Sequence, residues 1–489
     1  GDLAVPSYPS THNVKDYGAV GNGAADDTAA FKAALADMTE GVLYVPQGEY
    51  RLTDQIVVSK SNVTLRGAGI ASTTLYFDRS LLQVFGQSWG GRPDAVDRAS
   101  DWKNGPGFLR FAGPESLAPT GQVQIGAADP ISNDTLVAAV VGGAARGDVV
   151  LRVNDTSGLQ EGQWVTLTLS DASGTLLADA LYAGVPIVRH CISRDCYNAE
   201  RIVRFHTRLF AVRPGAVVLE RPLPYDVEGR WRPELHTPHY GVQHSGVEEM
   251  TIRFRPSTYA GHLMEAGFNG IEFAGVTNCW ARNLKVTNSD NHITVWLSSF
   301  VTVANVLLDR SVGRGSAGEC HHAVNVSHSE DVLIANFTIR AYCVHDLSSY
   351  FFNNAVVFAN GTGLQTTLDQ HRHLPYGTLW SNIDVGEGMR TFESGGQPDW
   401  GMYSAAYPTY YNVAASRGGV TNAPALDNGQ RSNFVSVQWV APLPGRLMAS
   451  GDARVDNFTR AQEWFFGKTL RPGERLAPLE LQAAMRDTR

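Results

Sequence analysis

The 489-residue chain carries 40 basic and 48 acidic residues, a formal net charge of −8, with 49 glycines, 10% aromatic and 18% charged residues. The charges are spread along the chain without the basic clusters a phosphate backbone demands, which excludes nucleic acid as an expected partner; no apolar run is long enough to span a bilayer, so no membrane partner is expected either. A composition rich in glycine and aromatics points to a β-rich globular protein, and the length suits one elongated repetitive unit as well as two or three domains.

The first ten residues, GDLAVPSYPS, have neither a charged start nor an apolar signal core. The chain therefore reads as cytosolic or as a mature form whose export signal has been removed. Glycines at 18, 21 and 23 then make a turn, Asp26 and Asp27 precede Thr28, and AAFKAALADM has helical apolar spacing, which predicts a capped helix. Strands follow in VLYVP, YRLTDQIVV and VTLRG, each broken by glycine or proline.

This opening resembles the N-terminal signature of the pectate-lyase-like superfamily of right-handed parallel β-helices, which includes polygalacturonases, polysaccharide lyases and phage tailspikes. The matching residues are Asp16 to Ala19, Gly21, Gly23, Asp26, Asp27, Thr28, Ala30 and Phe31, then Val45, Pro46, Gly48, Tyr50 and Leu65 to Gly67. The resemblance implies an all-β fold: a single-stranded right-handed parallel β-helix with an N-terminal capping helix, in which the aspartates are structural. It says little about reaction type, since fold and function separate widely.

Residues 1–80 are thus expected to form the cap and first coils. From 81 to 240 the rhythm changes: GDVVLRVNDTSGLQEGQWVTLTL and FHTRLFAVRPGAVVLERPL read as alternating strands joined by turns, an antiparallel β insertion that is either a flank or one wall of a cleft. WGGRPDAVDRASDWKNG leads into it as a loop. Cys191 and Cys196 are spaced for a disulfide across a tight loop, while Cys279, Cys320 and Cys343 lie in strand-like text and are expected to be buried thiols.

Residues 241–400 carry a repeat. Apolar residues recur around Asn305, Asn336, Asn360 and Asn382, with Asn283 as a weaker member, at intervals of 22, 31, 24 and 22. Such periods suit one coil of a β-solenoid, with the asparagines stacked as an internal ladder. Residues 401–489 would hold the last coils, an aromatic-rich cap and a closing helix in LAPLELQAAMR.

Stacked coils place equivalent residues about 4.8 Å apart. Counting eleven back from the ladder asparagines gives Glu272, Thr294, Asn325, Ser349 and His371; counting thirteen back gives His292, Ala323, Leu347 and Asp369. With one or two residues of slippage, His292, His321 or His322, His345 and His371 begin one strand in successive coils, joined by Asp346, Asp369, Arg372, His373, Arg390 and Glu393, with Tyr350 and Tyr376 nearby. That is a polar face several sugars long. HHAVNVSH and DQHRH offer metal donors, but no separation matches a standard zinc signature, so neither metal nor cofactor is expected.

What the resemblance implies about activity is cleavage of polysaccharides, by elimination or by hydrolysis. The calcium-dependent lyases need a three-carboxylate cluster that is not evident here. The polygalacturonases need paired aspartates one coil after NSD at 288–290, and these are absent; Asp290 reads as a turn residue. The expectation is a metal-independent lyase acting on a uronic-acid polysaccharide or oligosaccharide. His345 or His371 would be its base, Tyr350 or Tyr376 its acid, and Arg372 or Arg390 would neutralise the sugar carboxylate, with His292, His322, His373 and Glu393 binding neighbouring sugars. The alternatives are a glycoside hydrolase using Asp346, Asp369 or Glu393, and a non-catalytic, tailspike-like carbohydrate-binding protein. Because such polymers lie outside cells, a secreted or periplasmic location is expected. No feature assigns an oligomeric state.

Overall fold

The coils follow from an inward apolar column that repeats in register. Val303 of strand Thr302–Asp309 pairs with Ile334, and the column continues through Phe358, Trp380, Tyr410 and Phe434. From Phe358 onward the rings lie nearly parallel, with interplanar angles of 6°, 4° and 2°, so the later coils are filled by one aromatic stack. The computed structural model describes residues 8–86, 99–113, 134–170, 176–184, 203–315, 318–396, 401–425, 428–440 and 465–466.

Among these, two long parallel sheets run along the solenoid, beside a short two-stranded one that pairs Val242–Gln243 with Val276–Thr277. The larger contains the strands Gly246–Phe254, Trp280–Thr287, Thr302–Asp309, Leu333–Ile339, Val357–Gly363, Leu379–Asp384 and Thr409–Ala414 in that spatial order. The smaller runs Ile56–Val58, Leu109–Ala112, Asn269–Ala274, Asn291–Trp296, Cys320–Ser327, Cys343–Tyr350, Leu368–Gln370. The expected right-handed parallel β-helix is what the chain forms. At its start, helix Thr28–Asp37 sits where the pattern put it. Asp26 accepts from the Thr28 amide and hydroxyl, and Asp27 accepts from the amides of Val20 and Gly21, so both aspartates hold backbone in place.

The repeated asparagines mark corners. Asn283, Asn305, Asn336, Asn360 and Asn382 all have φ between 52° and 56°, a left-handed conformation that asparagine tolerates better than other side chains. Their amides form a ladder, Asn305 donating to Asn283 at 2.9 Å, Asn336 to Asn305 at 3.1 Å and Asn382 to Asn360 at 2.9 Å. Contrary to the internal placement expected from sequence, Asn305 and Asn336 are exposed. The corner turns Ala304 and Asn305 outward between the inward Val303 and Val306, so the ladder runs along the outside. The buried polar ladder is a different one: Ser329 Oγ accepts from the Ser298 amide and Asn353 Oδ1 from the Ser329 amide. Asn305→Ala is expected to cost about 1–2 kcal/mol, from left-handed strain and a lost hydrogen bond, whereas Asn305→Gly should cost less. Urea unfolding checks both, and unchanged stability in the alanine variant would contradict this role.

Two cysteine expectations change. Cys320 and Cys343 are register partners on adjacent strands and form a disulfide; stacking of coils, invisible in linear spacing, brings them together. Cys279 is a buried thiol, pushed up to about 12 by burial. Cys191, Cys196 and the closing helix at 476–486 lie outside the described residues.

The insertion contains a six-stranded antiparallel sheet, in the order Val150–Arg152, Ala216–Leu219, Val203–Arg213, Trp164–Leu169, Glu234–Thr237, Thr135–Ala139. It has its own apolar core, completed by Leu374, Tyr376, Met402 and Ala405 from the solenoid. It also meets the turns after the strands of the smaller sheet, where the His206 amide donates to Glu330 and Arg221 pairs with Asp331.

Candidate active site

Parallel register in the smaller sheet brings separated imidazoles to one end of adjacent strands. Asn291, His322 and His345 are successive partners. The column through Thr294 and Asn325 continues to Ser348 and Asp369, not to Ser349 and His371 as the residue count implied; the coils differ in length, so a fixed offset slips. The histidine rings nevertheless converge. Centroids lie 4.0 Å apart for His321 and His322, 5.4 Å for His322 and His345, and 4.7 Å for His345 and His371. Tyr350 stands edge-on to His371 at 4.6 Å.

Asp369 organises the outer pair. Its Oδ2 lies 2.6 Å from His371 Nδ1 and 3.3 Å from His345 Nδ1 and also accepts from Ser348, while its Oδ1 accepts from the Gly395 amide at 2.7 Å. Burial works to raise this carboxyl, but the charges and hydrogen bonds of His371 and His345 outweigh it and hold the group well below the usual range. With Nδ1 occupied by a carboxylate, the Nε2 of each ring is the nitrogen left to exchange protons. The side chains of His345 and His371 are 12% and 13% exposed, against 0% for Asp369, so the imidazoles and not the carboxylate meet solvent.

Several participants escaped the sequence reading. His262 and Glu265 come from residues 255–268, between two strands, where a lone histidine has no periodic neighbour to flag it. The His262 ring lies 4.8 Å from that of His321 and 5.5 Å from that of His345. His321 Nδ1 lies 2.8 Å from the Lys103 carbonyl and 3.3 Å from Glu265, which also accepts from the Tyr259 hydroxyl. Burial, only partly offset by the Tyr259 hydrogen bond, raises Glu265 to about 7. Gly395 lies directly over the outer pair: a Cβ there would sit 2.3 Å from His371 Cε1 and 2.5 Å from His345 Cε1.

Other residues assigned from sequence lie elsewhere. Tyr376 donates to the Pro224 carbonyl within the insertion's core, not to the histidine face. His373 packs against Phe351 and Phe352. Arg372 covers the Tyr403 ring and donates to the Gly401 carbonyl. Arg390 donates to the carbonyls of Cys343 and Val344 and pairs with Glu393, so both expected carboxylate neutralisers are occupied. Asp346 is buried on Thr367 and raised by burial to about 7. Asp290 is an interior anchor, bonded to Arg314 and to the amides of Gly267 and Phe268.

His292 also points inward. It is 1% exposed, its Nδ1 lies 3.3 Å from the His322 carbonyl, and burial pushes it down to about 4. Because its folded value lies below the unfolded one, the unfolded chain binds the extra proton; the stability is complete above about pH 6.5 and is lost as pH falls toward 4. His292→Leu should therefore gain stability relative to the parent by roughly 2 kcal/mol between about pH 6.5 and about pH 5. Urea titrations of both proteins at the two pH values check this, and a constant difference would refute it.

Comparison with known proteins agrees with the architecture. The family model described as "Rhamnogalacturonase A/epimerase, pectate lyase-like" matches residues 11–184. Mannuronan C5-epimerase AlgE3 of Azotobacter vinelandii is 44% identical over 72 residues, 13% of this chain and 4% of that protein. Alginate lyase 7 of the same organism is 41% identical over 73 residues, 13% of this chain and 8% of that one. The matches thus span only a small fraction of these relatives' lengths. The tailspike gp61 of Pseudomonas phage phi297 aligns with a TM-score of 0.50 at 12% identity, over 88% of this chain and 64% of its own, a likeness of fold alone. N-terminal signature, stacked parallel coils and the family-model match over residues 11–184 together make the chain a right-handed parallel β-helix protein whose N-terminal part is similar to the pectate-lyase-like family.

Proposed function

We propose that the histidine face cleaves a uronate-containing polysaccharide by β-elimination. The observation that carries this reading is the buried Asp369 carboxylate bound to Nδ1 of a partly exposed imidazole, with a phenol against that ring. Such a carboxylate fixes the tautomer and stabilises the imidazolium formed when Nε2 takes a proton. In the proposed step His371 removes the C5 proton of the uronate, the C4–O4 bond breaks as the C4=C5 double bond forms, and Tyr350 gives its proton to the departing O4. His345 shares the Asp369 oxygen and lines the same surface.

The carboxyl pair a glycosidase needs finds less support, because Asp369, Asp346 and Glu265 are all at most 2% exposed and Glu393 is engaged by Arg390. Names among the relatives, a C5-epimerase and an alginate lyase, agree with chemistry at a uronate. An exported location is proposed with the activity, and the Cys320–Cys343 disulfide supports an oxidising compartment.

The test is incubation with a panel of uronate and neutral polysaccharides, following ultraviolet absorbance of unsaturated product beside new reducing ends. Unsaturated product from a uronate polymer is expected. Reducing ends without absorbance would replace elimination by hydrolysis, and neither signal on a broad panel would favour a binding protein.

A further inference from the structure

We infer that His262, His321 and His345 form a binding site for one divalent cation of the zinc type, open on its outer side. One donor nitrogen of each residue lies within 4.8 Å of those of the other two. Three imidazoles at bond lengths of about 2.0–2.1 Å around zinc would sit closer, about 3.3 Å apart. His262 is exposed on the 255–268 segment, so the ligand that must move inward is the one least held by packing.

The surroundings are those of ligating histidines, whose second nitrogen is normally tied to an oxygen. His321 Nδ1 faces the Lys103 carbonyl and Glu265, and His345 Nδ1 faces Asp369. Both rings are thereby turned to offer Nε2. Glu265 faces this imidazole of His321 through Oε1, while its Oε2 is buried with no hydrogen-bond partner, so the carboxyl is placed to raise the basicity of His321 on metal binding.

Two other donor groups fit less well. The triad of His345, Asp369 and His371 is built on a carboxylate whose oxygens already accept from Ser348, Gly395 and His371. The group of His292, Cys320 and Cys343 has its sulfurs joined to each other. The donors visible in HHAVNVSH and DQHRH did not lead to an expected metal, because three ligands on three separate segments have no signature spacing.

A cation here would lie beside His371 and His345, where elimination needs a positive charge on the uronate carboxylate and both expected arginines are occupied. That role rests on the elimination reading, whereas binding of the cation does not. The experiment is a calorimetric titration of chelator-dialysed, full-length protein with Zn²⁺ alone, repeated for His262→Ala and Glu265→Gln. One Zn²⁺ per chain is expected, weakened at least about 10- to 100-fold by His262→Ala and about tenfold by Glu265→Gln, which acts through His321 as a positioning residue. Because His262 is exposed, its loss should leave the fold intact, and an unchanged urea midpoint verifies that.

No saturable binding, or binding equal in the parent and His262→Ala, would overturn the site. The titration contains no sugar, so its failure leaves elimination standing, and a lack of unsaturated product leaves the titration standing. Undiminished elimination after chelation would overturn the cation's role in turnover.

Discussion

Replacing His371 by alanine is expected to lower the rate of unsaturated-product formation about 10³-fold, within the range that positioned acid–base groups contribute, without loss of the folded solenoid. The residue directly follows strand Leu368–Gln370 and its side chain is 13% exposed, with its ring against Tyr350 and His345, so its removal opens space toward solvent and not a core cavity. Asp369→Asn should have a comparable effect by another route. The amide that replaces one carboxylate oxygen would present N–H to a partner that now donates, either His371 Nδ1 or the Gly395 amide, and the ring would lose the tautomer that frees Nε2. Asp369→Asn should also destabilise the fold by roughly 1–3 kcal/mol, because a buried donor is left unpaired; His371→Ala should cost no more than that, because the buried carboxylate loses one partner but keeps Ser348, Gly395 and His345. Initial rates together with urea midpoints separate lost chemistry from lost folding; full activity in either variant would remove the base assigned here.

Gly395→Ala is expected to reduce turnover by about 10²-fold although residue 395 has no side chain to contribute. The added methyl would fall within 2.3–2.7 Å of ring atoms of both His371 and His345, far inside contact distance, so both rings or the loop must shift. Misplacement by about 1 Å costs on that order in rate, and the overpacking should cost about 1–3 kcal/mol. If the loop yields instead, the Gly395 amide leaves Asp369 and the carboxylate loses one of its anchors. Steady-state kinetics on the variant check this, and parent-like rates would show that the loop does not hold the imidazoles in place.

The fold was readable because its determinants are local or periodic. Gly18 to Thr28 specify a turn and a helix start through short-range hydrogen bonds, and the asparagine corners recur at nearly constant intervals. The histidine face was legible to the same extent: His322 and His345 are register partners, and His371 joins them across one slipped coil. What the repeat could not supply was direction. Ladder asparagines point out because their backbone turns left-handed, and His292 points in although it borders the same strand ends. Nor could it supply residues from excursions between coils. His262, Glu265 and Gly395 reach the site through loop paths, and the Cys320–Cys343 bridge and the burial of Tyr376 under the insertion depend on which elements stack. Arginines were misassigned for a related reason, since a guanidinium satisfied by backbone carbonyls looks in sequence the same as one aimed at a ligand.

The central claim is that the imidazole anchored on Asp369 removes the C5 proton of a uronate. It is tested most directly by single-turnover measurement of unsaturated product from a uronate polymer carrying deuterium at C5, beside the same polymer with hydrogen there. Slower formation of the double bond from the deuterated chain is the predicted result. Equal rates, or cleavage that yields saturated ends only, would contradict it.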